Sequence, residues 1–263
     1  MNKIIDLSPM AIEFLLYSYF GIVNEEVMEE EDVALKCAHR AYLDLCRTIE
    51  FNEELKGKKG SEEKCSKYIK AEFCNIICLT IVSQIKEVLY NNEKSFDDKH
   101  KTICSNIITK ANSVMFKWKN EEYEKILVND LTYGQVQKWL NMTLKYLYLL
   151  GVWKDELSSL KDELHIPVDS FVMEAANKDD RFKVNIPYKN KEGKGKYSEN
   201  NSKPWSGWDF KEYVDFQNSF KNCSRIEWES ENWIKIAQER RFNEQNKLVE
   251  TIKANKVEVK VNE

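Results

Sequence analysis

The chain has 263 residues and a net charge of −4, with 42% hydrophobic and 32% charged residues. This composition suits a folded protein with a sizeable core and a charged surface; it speaks against a strongly basic nucleic-acid binder, though not against a local basic patch. Only 8 Gly and 4 Pro occur, which favours long helices and short connections.

The first segment, "MNKIIDLSPMAIEFLLYSYFG", carries an apolar helical stripe broken by Asp6 and Glu13. It lacks a basic start and a small-residue cleavage site, so it reads as a helix and not as a signal peptide. Ser8 is its expected N-cap, Pro9 its first helical residue and Gly21 its C-cap. No stretch approaches the apolar run of a membrane span, and a cytoplasmic protein without a membrane partner is expected. A second helix is expected over 25–52, with Val33, Cys37, Tyr42 and Leu45 on its core face. The acidic "EEVMEEED" at its start reads as a solvated helix face. The glycines and dense charge of "EELKGKKGSEEK" mark a surface loop. A long buried helix over 65–90 follows, then another over 95–118 with Ser95 as its cap.

Helical periodicity is strongest in "GQVQKWLNMTLKYLYLLG", residues 134–151. Val136, Leu140, Leu144 and Leu147 form one stripe, and Trp139, Met142, Tyr146 and Leu149 a second beside it. Gln137, Lys138, Asn141 and Lys145 share the narrow remaining wedge, which faces either solvent or a groove. A shorter helix is expected over 154–163, and a new one from Asp169 or Ser170. Over 177–203 the pattern fails. The lysine-rich "RFKVNIPYKNKEGKGKYSENNSK" is a long loop or a small β-excursion. Helical character returns in "WDFKEYVDFQNSF" and in "ESENWIKIAQERRFNEQNKLVETIKANK". No internal repeat occurs. The expected fold is a single all-α domain over 1–263, with candidate lobes at about 1–120 and 121–263 and a lysine-rich loop at 177–204.

The seven cysteines are odd in number and include no CxxC pair. Cys74 and Cys78 lie one helical turn apart, but no His/Cys partner pair follows at zinc spacing, so buried reduced thiols are expected. His39, His100 and His165 lie on separate segments with no metal-ligand spacing. No metal or cofactor is expected from these patterns, and no P-loop, GxGxxG or GxSxG is present.

Asp169 is the awkward residue. It stands in the apolar run "LHIPVDSFVME", where an isolated charge is costly. Pro167 makes the approach extended, and Asp169 or Ser170 then caps the following helix. From Lys138 the long helix runs roughly 20 Å to Gly151, and an antiparallel return of about 15 Å brings "HIPVD" back toward its start. Asp169 and Lys138, 31 positions apart, could then face each other. Such a pair is either a structural ion pair with a cap, or an amine nucleophile beside a carboxylate that accepts its proton.

On these residues the chain resembles the helix-hairpin-helix DNA glycosylase superfamily. "GQVQKWLNMTLKYLYLLG" followed by "IPVDSFV" is similar to the family's lysine helix and its P-V-D-x-x-V context. Pro167, Val168, Asp169 and Val172 match that context, and Lys138 matches the lysine. The lysine-to-aspartate spacing is closest to the archaeal 8-oxoguanine DNA glycosylase branch. The likeness covers residues 128–176. It departs from the family in the hairpin, where "LTYGQVQK" offers only Gly134. The resemblance implies a DNA glycosylase with abasic-site lyase activity that uses no cofactor and has damaged duplex DNA as partner. A base flipped into a pocket between two lobes would be expelled by Lys138 through a Schiff base, with Asp169 taking the amine's proton. Gly134, Gln135, Asn141, His165, Trp205 and Trp208 are the expected substrate contacts, and the lysine-rich loop is the expected phosphate patch. The alternative is a non-catalytic all-α interaction or DNA-binding protein, for example from a mobile-element or phage-defence setting, in which Lys138 and Asp169 only form structure.

Overall fold

The computed structural model describes residues 7–23, 28–52, 61–90, 95–118, 121–123, 126–189 and 197–254. The fold is all-α, with one small hairpin. Helix α1 spans Pro9–Phe20, α2 Glu30–Leu45, α3 Ser61–Leu89 and α4 Phe96–Asn112. The strands β1 (Phe116–Trp118) and β2 (Glu121–Tyr123) pair antiparallel, so the segment expected to prolong α4 is extended instead. Helices α5 (Tyr133–Leu150), α6 (Lys154–Ser159), α7 (Ser170–Lys178), α8 (Phe210–Asn218) and α9 (Arg225–Ala254) complete the chain.

Local chemistry sets the helix ends. The Ser8 side chain accepts from the Ala11 N–H, and Gly21 closes α1 in the left-handed conformation at φ 68°. Helix α2 is shorter than its sequence pattern, ending at Leu45 in a 3-10 turn over Cys46–Thr48. It buries Ala34, Cys37, Ala38, Ala41 and Leu45, while Val33 and Tyr42 are half-buried. Its small alanines let α2 lie close against α5, and Trp139 of α5 donates its indole N–H to the Ala38 carbonyl at 2.9 Å. Helix α3 drives Ile69, Phe73, Ile77, Ile81 and Ile85 into the core. By length and composition alone its Ser66–Leu89 stretch would suffice to cross a membrane, contrary to the sequence expectation.

Helix α5 is the axis of the fold. Every residue from Tyr133 to Leu147 except Lys145 is buried. Thr132 and Gln135 form a reciprocal capping box at its start, and Gly151 ends it. Gly134 rests on the turn Trp205–Gly207: its N–H donates to the Trp208 carbonyl at 2.9 Å, and a Cβ there would lie 2.0 Å from the Trp205 carbonyl oxygen.

The polar residues of α5 pin the extended stretch 164–169, whose residues 164–168 are buried. Gln217 of α8 donates to the Ile166 carbonyl at 2.7 Å and accepts from the Ile166 N–H at 3.1 Å. Gln137 treats Val168 in the same way, at 3.3 Å for both bonds. Asn141 donates to Ile166 O at 3.3 Å and to the Tyr213 hydroxyl at 2.8 Å.

Around this stretch a hydrogen-bond chain runs in one direction, because ionised Asp97 at its end can only accept. Tyr133 donates to His100 Nδ1 (3.1 Å), and His100 Nε2 donates to Asn141 Oδ1 (2.8 Å). Asn141 donates to Tyr213, Tyr213 to His165 Nδ1 (2.8 Å), and His165 Nε2 to Asp97 Oδ1 (2.7 Å). Burial disfavours a charge on either imidazole, and with both neutral the chain takes this one direction.

Burial holds His100 well below the usual imidazole range, aided by the charge His165 would carry. Burial also lowers His165, against the pull of Asp97. His39 moves the other way, raised mainly by its hydrogen bond with Cys74. An NMR titration therefore finds His165 and His100 protonating below a free imidazole's pKa of about 6.5. As pH falls below about 6.5, the unfolded chain takes up protons that His100 and His165 refuse, so these two residues lower stability. Titration of His100 at or above the free value contradicts the network. Gly134→Ala is expected to cost about 1–3 kcal/mol by urea denaturation, because the Trp205 carbonyl cannot yield.

Candidate active site

Positions 138 and 145 are seven apart on α5, so they share a face. That face lines a cleft of about 580 Å³ between α1 and α2 on one side and α5, α7 and α9 on the other. This lies within the range of about 300–1,000 Å³ common for small-molecule sites. The wedge read from the sequence is therefore divided. Lys138 and Lys145 face the cleft, while Gln137 and Asn141 face the buried stretch 164–169.

Lys138 Nζ donates to Asp169 Oδ2 at 2.8 Å and to the Pro167 carbonyl at 3.2 Å. Asp169 is the N-cap of α7, and its Oδ1 accepts from the Val172 N–H at 2.9 Å. Its Oδ2 also accepts from the indole N–H of Trp233 on α9 at 3.1 Å. Burial alone would raise the Asp169 carboxyl. The Lys138 charge and these hydrogen bonds outweigh it and hold the group below its usual range. The pair is largely withdrawn from solvent, with side chains 4% and 15% exposed.

A second pair lies beside the first. Lys145 donates to Glu229 of α9, whose carboxyl is pushed up by burial against the opposing charge of Lys145. Arg40 and Arg47 add positive charge to the cleft, and Asp44 adds a carboxylate. Asp44 is held by Arg40 at 3.2 Å and by the Tyr146 hydroxyl at 2.6 Å. The aromatic surface consists of Tyr19, Tyr146, Phe171 and Trp233. Phe171 and Trp233 stack with ring centroids 5.0 Å apart, and the Arg240 guanidinium lies 4.2 Å from the Phe171 centroid on its other contacts with α7.

Of the residues singled out from the sequence, Lys138 and Asp169 meet in this cleft. Gly134, Gln135, Asn141, His165, Trp205 and Trp208 do not line it. Gly134 is buried under the Trp205–Gly207 turn, and Gln135 completes the α5 capping box. Asn141 and His165 belong to the buried hydrogen-bond chain. Trp208 is a core side chain, and Trp205 packs half-buried against the core. The described part of the lysine-rich loop forms a bridge between Tyr188 and Ser202 and also lies off the cleft; residues 190–196 fall outside the described residues. Sequence reading missed Arg40, Arg47, Glu229 and Trp233 as cleft residues. Only Lys145 carried a signal, its seven-residue spacing from Lys138.

Compared with protein-family models, curated proteins and solved structures, the chain has no match. The chemistry of the cleft is therefore argued from its own residues. It offers an amine in contact with a carboxylate, further cations at the rim, and aromatic faces that can stack on a flat ligand.

Asp169→Asn keeps a capping side chain but leaves the Lys138 ammonium without its counter-ion. It is expected to lower stability by about 3–5 kcal/mol in urea denaturation. Adding Lys138→Met restores most of the loss, because the unpaired buried charge is gone. The wild-type contribution of Asp169 is present above about pH 4 and is lost as pH falls through its lower folded value. A single variant as stable as the wild type rules out this coupling.

Proposed function

We propose that the protein is a DNA base-excision glycosylase with abasic-site lyase activity, acting through Lys138. The observation that carries the reading is the 2.8 Å contact of Lys138 Nζ with Asp169 Oδ2 in a cleft with aromatic walls. The surrounding chemistry supports it. Tyr19 and Trp233 bring aromatic surface to the cleft for an extruded oxidised base, with Phe171 backing Trp233, and Arg40 and Arg47 offer charge to the phosphates that flank it.

In this mechanism the Lys138 ammonium passes a proton to Asp169 when the nucleotide fills the cleft. The free amine attacks the anomeric carbon; the bond from that carbon to the base breaks, and the base leaves with the electron pair and gains a proton. The deoxyribose ring opens to an iminium on Lys138. Loss of a proton from the adjacent sugar carbon then expels the 3′ phosphate. Asp169 is already anchored by the Val172 N–H and by Trp233, so its carboxylate stays in place through the transfer.

A second reading is a non-catalytic interaction protein. It is favoured by the exposed Met10, Phe14 and Tyr17 of α1, an apolar surface open to a partner. In that case Lys138 and Asp169 only secure the fold.

Borohydride trapping separates the two. Wild-type protein incubated with duplexes carrying abasic sites or oxidised bases, with borohydride present, is expected to form a covalent adduct as the iminium is reduced to a secondary amine. Lys138→Gln abolishes the adduct, whereas Lys145→Gln retains it. Absence of a wild-type adduct across the lesion panel overturns the glycosylase/lyase reading without depending on how any variant folds.

A further inference from the structure

A second constellation lies behind the Lys138 cleft and plays no part in it. His39 of α2 meets Cys74 and Cys78, on successive turns of α3. The Cys74 Sγ is 3.5 Å from His39 Nδ1 and 3.9 Å from the Cys78 Sγ. The three ligand atoms all fall within 4.8 Å of one another. We infer that His39, Cys74 and Cys78 form a binding site for a zinc ion.

The distances carry the argument. Zinc bonds of about 2.3 Å to sulfur and about 2.0 Å to nitrogen at a tetrahedral angle separate two sulfurs by about 3.8 Å, and sulfur from nitrogen by about 3.5 Å. Two of the three edges of that ligand triangle are thus already formed. The third, from Cys78 Sγ to the His39 imidazole nitrogen, is at most 4.8 Å and closes by little more than about 1 Å. Cys74 and Cys78 are held by one continuous helix, and α2 packs on α3, so the ligands are largely preorganised.

The electrostatics agree. The Cys74 thiol is lowered to about 6, chiefly by its hydrogen bond with Cys78 and then by His39, against burial. Burial pushes Cys78 up, so without metal the two sulfurs share one proton. Zinc displaces that proton, and two thiolates balance its charge. The ion therefore leaves no net charge beside Lys36, Arg40 and Lys70. These three line the adjoining cavity of about 530 Å³ together with His39 and Cys74.

Three protein ligands leave a fourth position for water, and the adjoining cavity, which His39 and Cys74 line, would give solvent a route to it. The cavity shares Tyr19, Arg40 and Leu43 with the Lys138 cleft, but the zinc site stands or falls independently of the proposed lyase chemistry. A Cys74–Cys78 disulfide would leave His39 unused and require the sulfurs to close from 3.9 Å to about 2.0 Å.

The test uses untagged full-length protein, reduced and stripped with a chelator, and titrated with Co²⁺. One equivalent is expected to produce thiolate-to-cobalt absorption in the near ultraviolet and the intense visible bands of a tetrahedral centre, both removed by one equivalent of Zn²⁺. In the presence of reductant, Zn²⁺ is expected to slow alkylation of Cys74 and Cys78 at least about tenfold, read by peptide mass, and to leave the other cysteines unchanged. His39→Ala and Cys74→Ser lower cobalt affinity at least about 100-fold. The inference is overturned by the absence of a thiolate-to-cobalt band in the wild type, or by protection that falls on other cysteines. Unchanged cobalt affinity in both variants overturns it as well.

Discussion

The rest of the structure depends on how a buried piece of non-helical backbone is satisfied. Residues 164–169 run extended through the interior, where an unpaired peptide group costs as much as a lost hydrogen bond. No neighbouring strand pairs with them among the described residues. Instead, two glutamine side chains each act like a strand edge, giving and accepting one bond: Gln217 at Ile166 and Gln137 at Val168. Lys138 takes the Pro167 carbonyl, which lies between them. Three consecutive carbonyls are therefore claimed by α5 and α8, and the stretch has one register. That register sets Asp169 at the start of α7, facing Lys138.

The same constraint explains the composition of α5. A helix this deeply buried would ordinarily be apolar all round. Here Gln137, Asn141 and Lys138 stay polar because each meets buried backbone or side-chain acceptors of the 164–169 stretch. The chain of hydrogen bonds from Tyr133 to Asp97 extends this order to α4 and α8 around two imidazoles that burial keeps neutral. The network is fully connected, and such networks specify one arrangement more sharply than apolar packing does. The Lys138–Asp169 pair is thus both a structural element and the chemically most distinctive group in its cleft. Under the lyase reading proposed above, an amine held by rigid elements would need little rearrangement to act, so one pair could serve both fold and chemistry.

Much of the architecture was legible in the sequence. The 3.6-residue periodicity, Ser8 and Gly21 around α1, and Gly151 after α5 announced helices and their ends by local chemistry alone. The hairpin over 116–123 was not announced, because a three-residue strand leaves no period to read. The shortened α2 escaped for a similar reason: nothing local in the pattern marks Leu45 as its end. The candidate site was legible in part. Asp169 betrayed itself as a charge in an apolar run, and Lys138 as a cation on a nearly all-apolar helix.

Sequence by itself determined the all-α class, the helix caps, and the expectation that Lys138 faces Asp169, since each depends on residues within one or two turns or on a single connection. Tertiary structure alone decided which polar residues of α5 face the cleft and which face the core, because a helical wedge fixes direction but not neighbours. It alone brought Glu229 and Trp233 from α9 to the lysine face, and His39 to the two cysteines of α3. Those meetings join residues 35 to 84 positions apart, at distances that the packing of whole helices sets and no local spacing records.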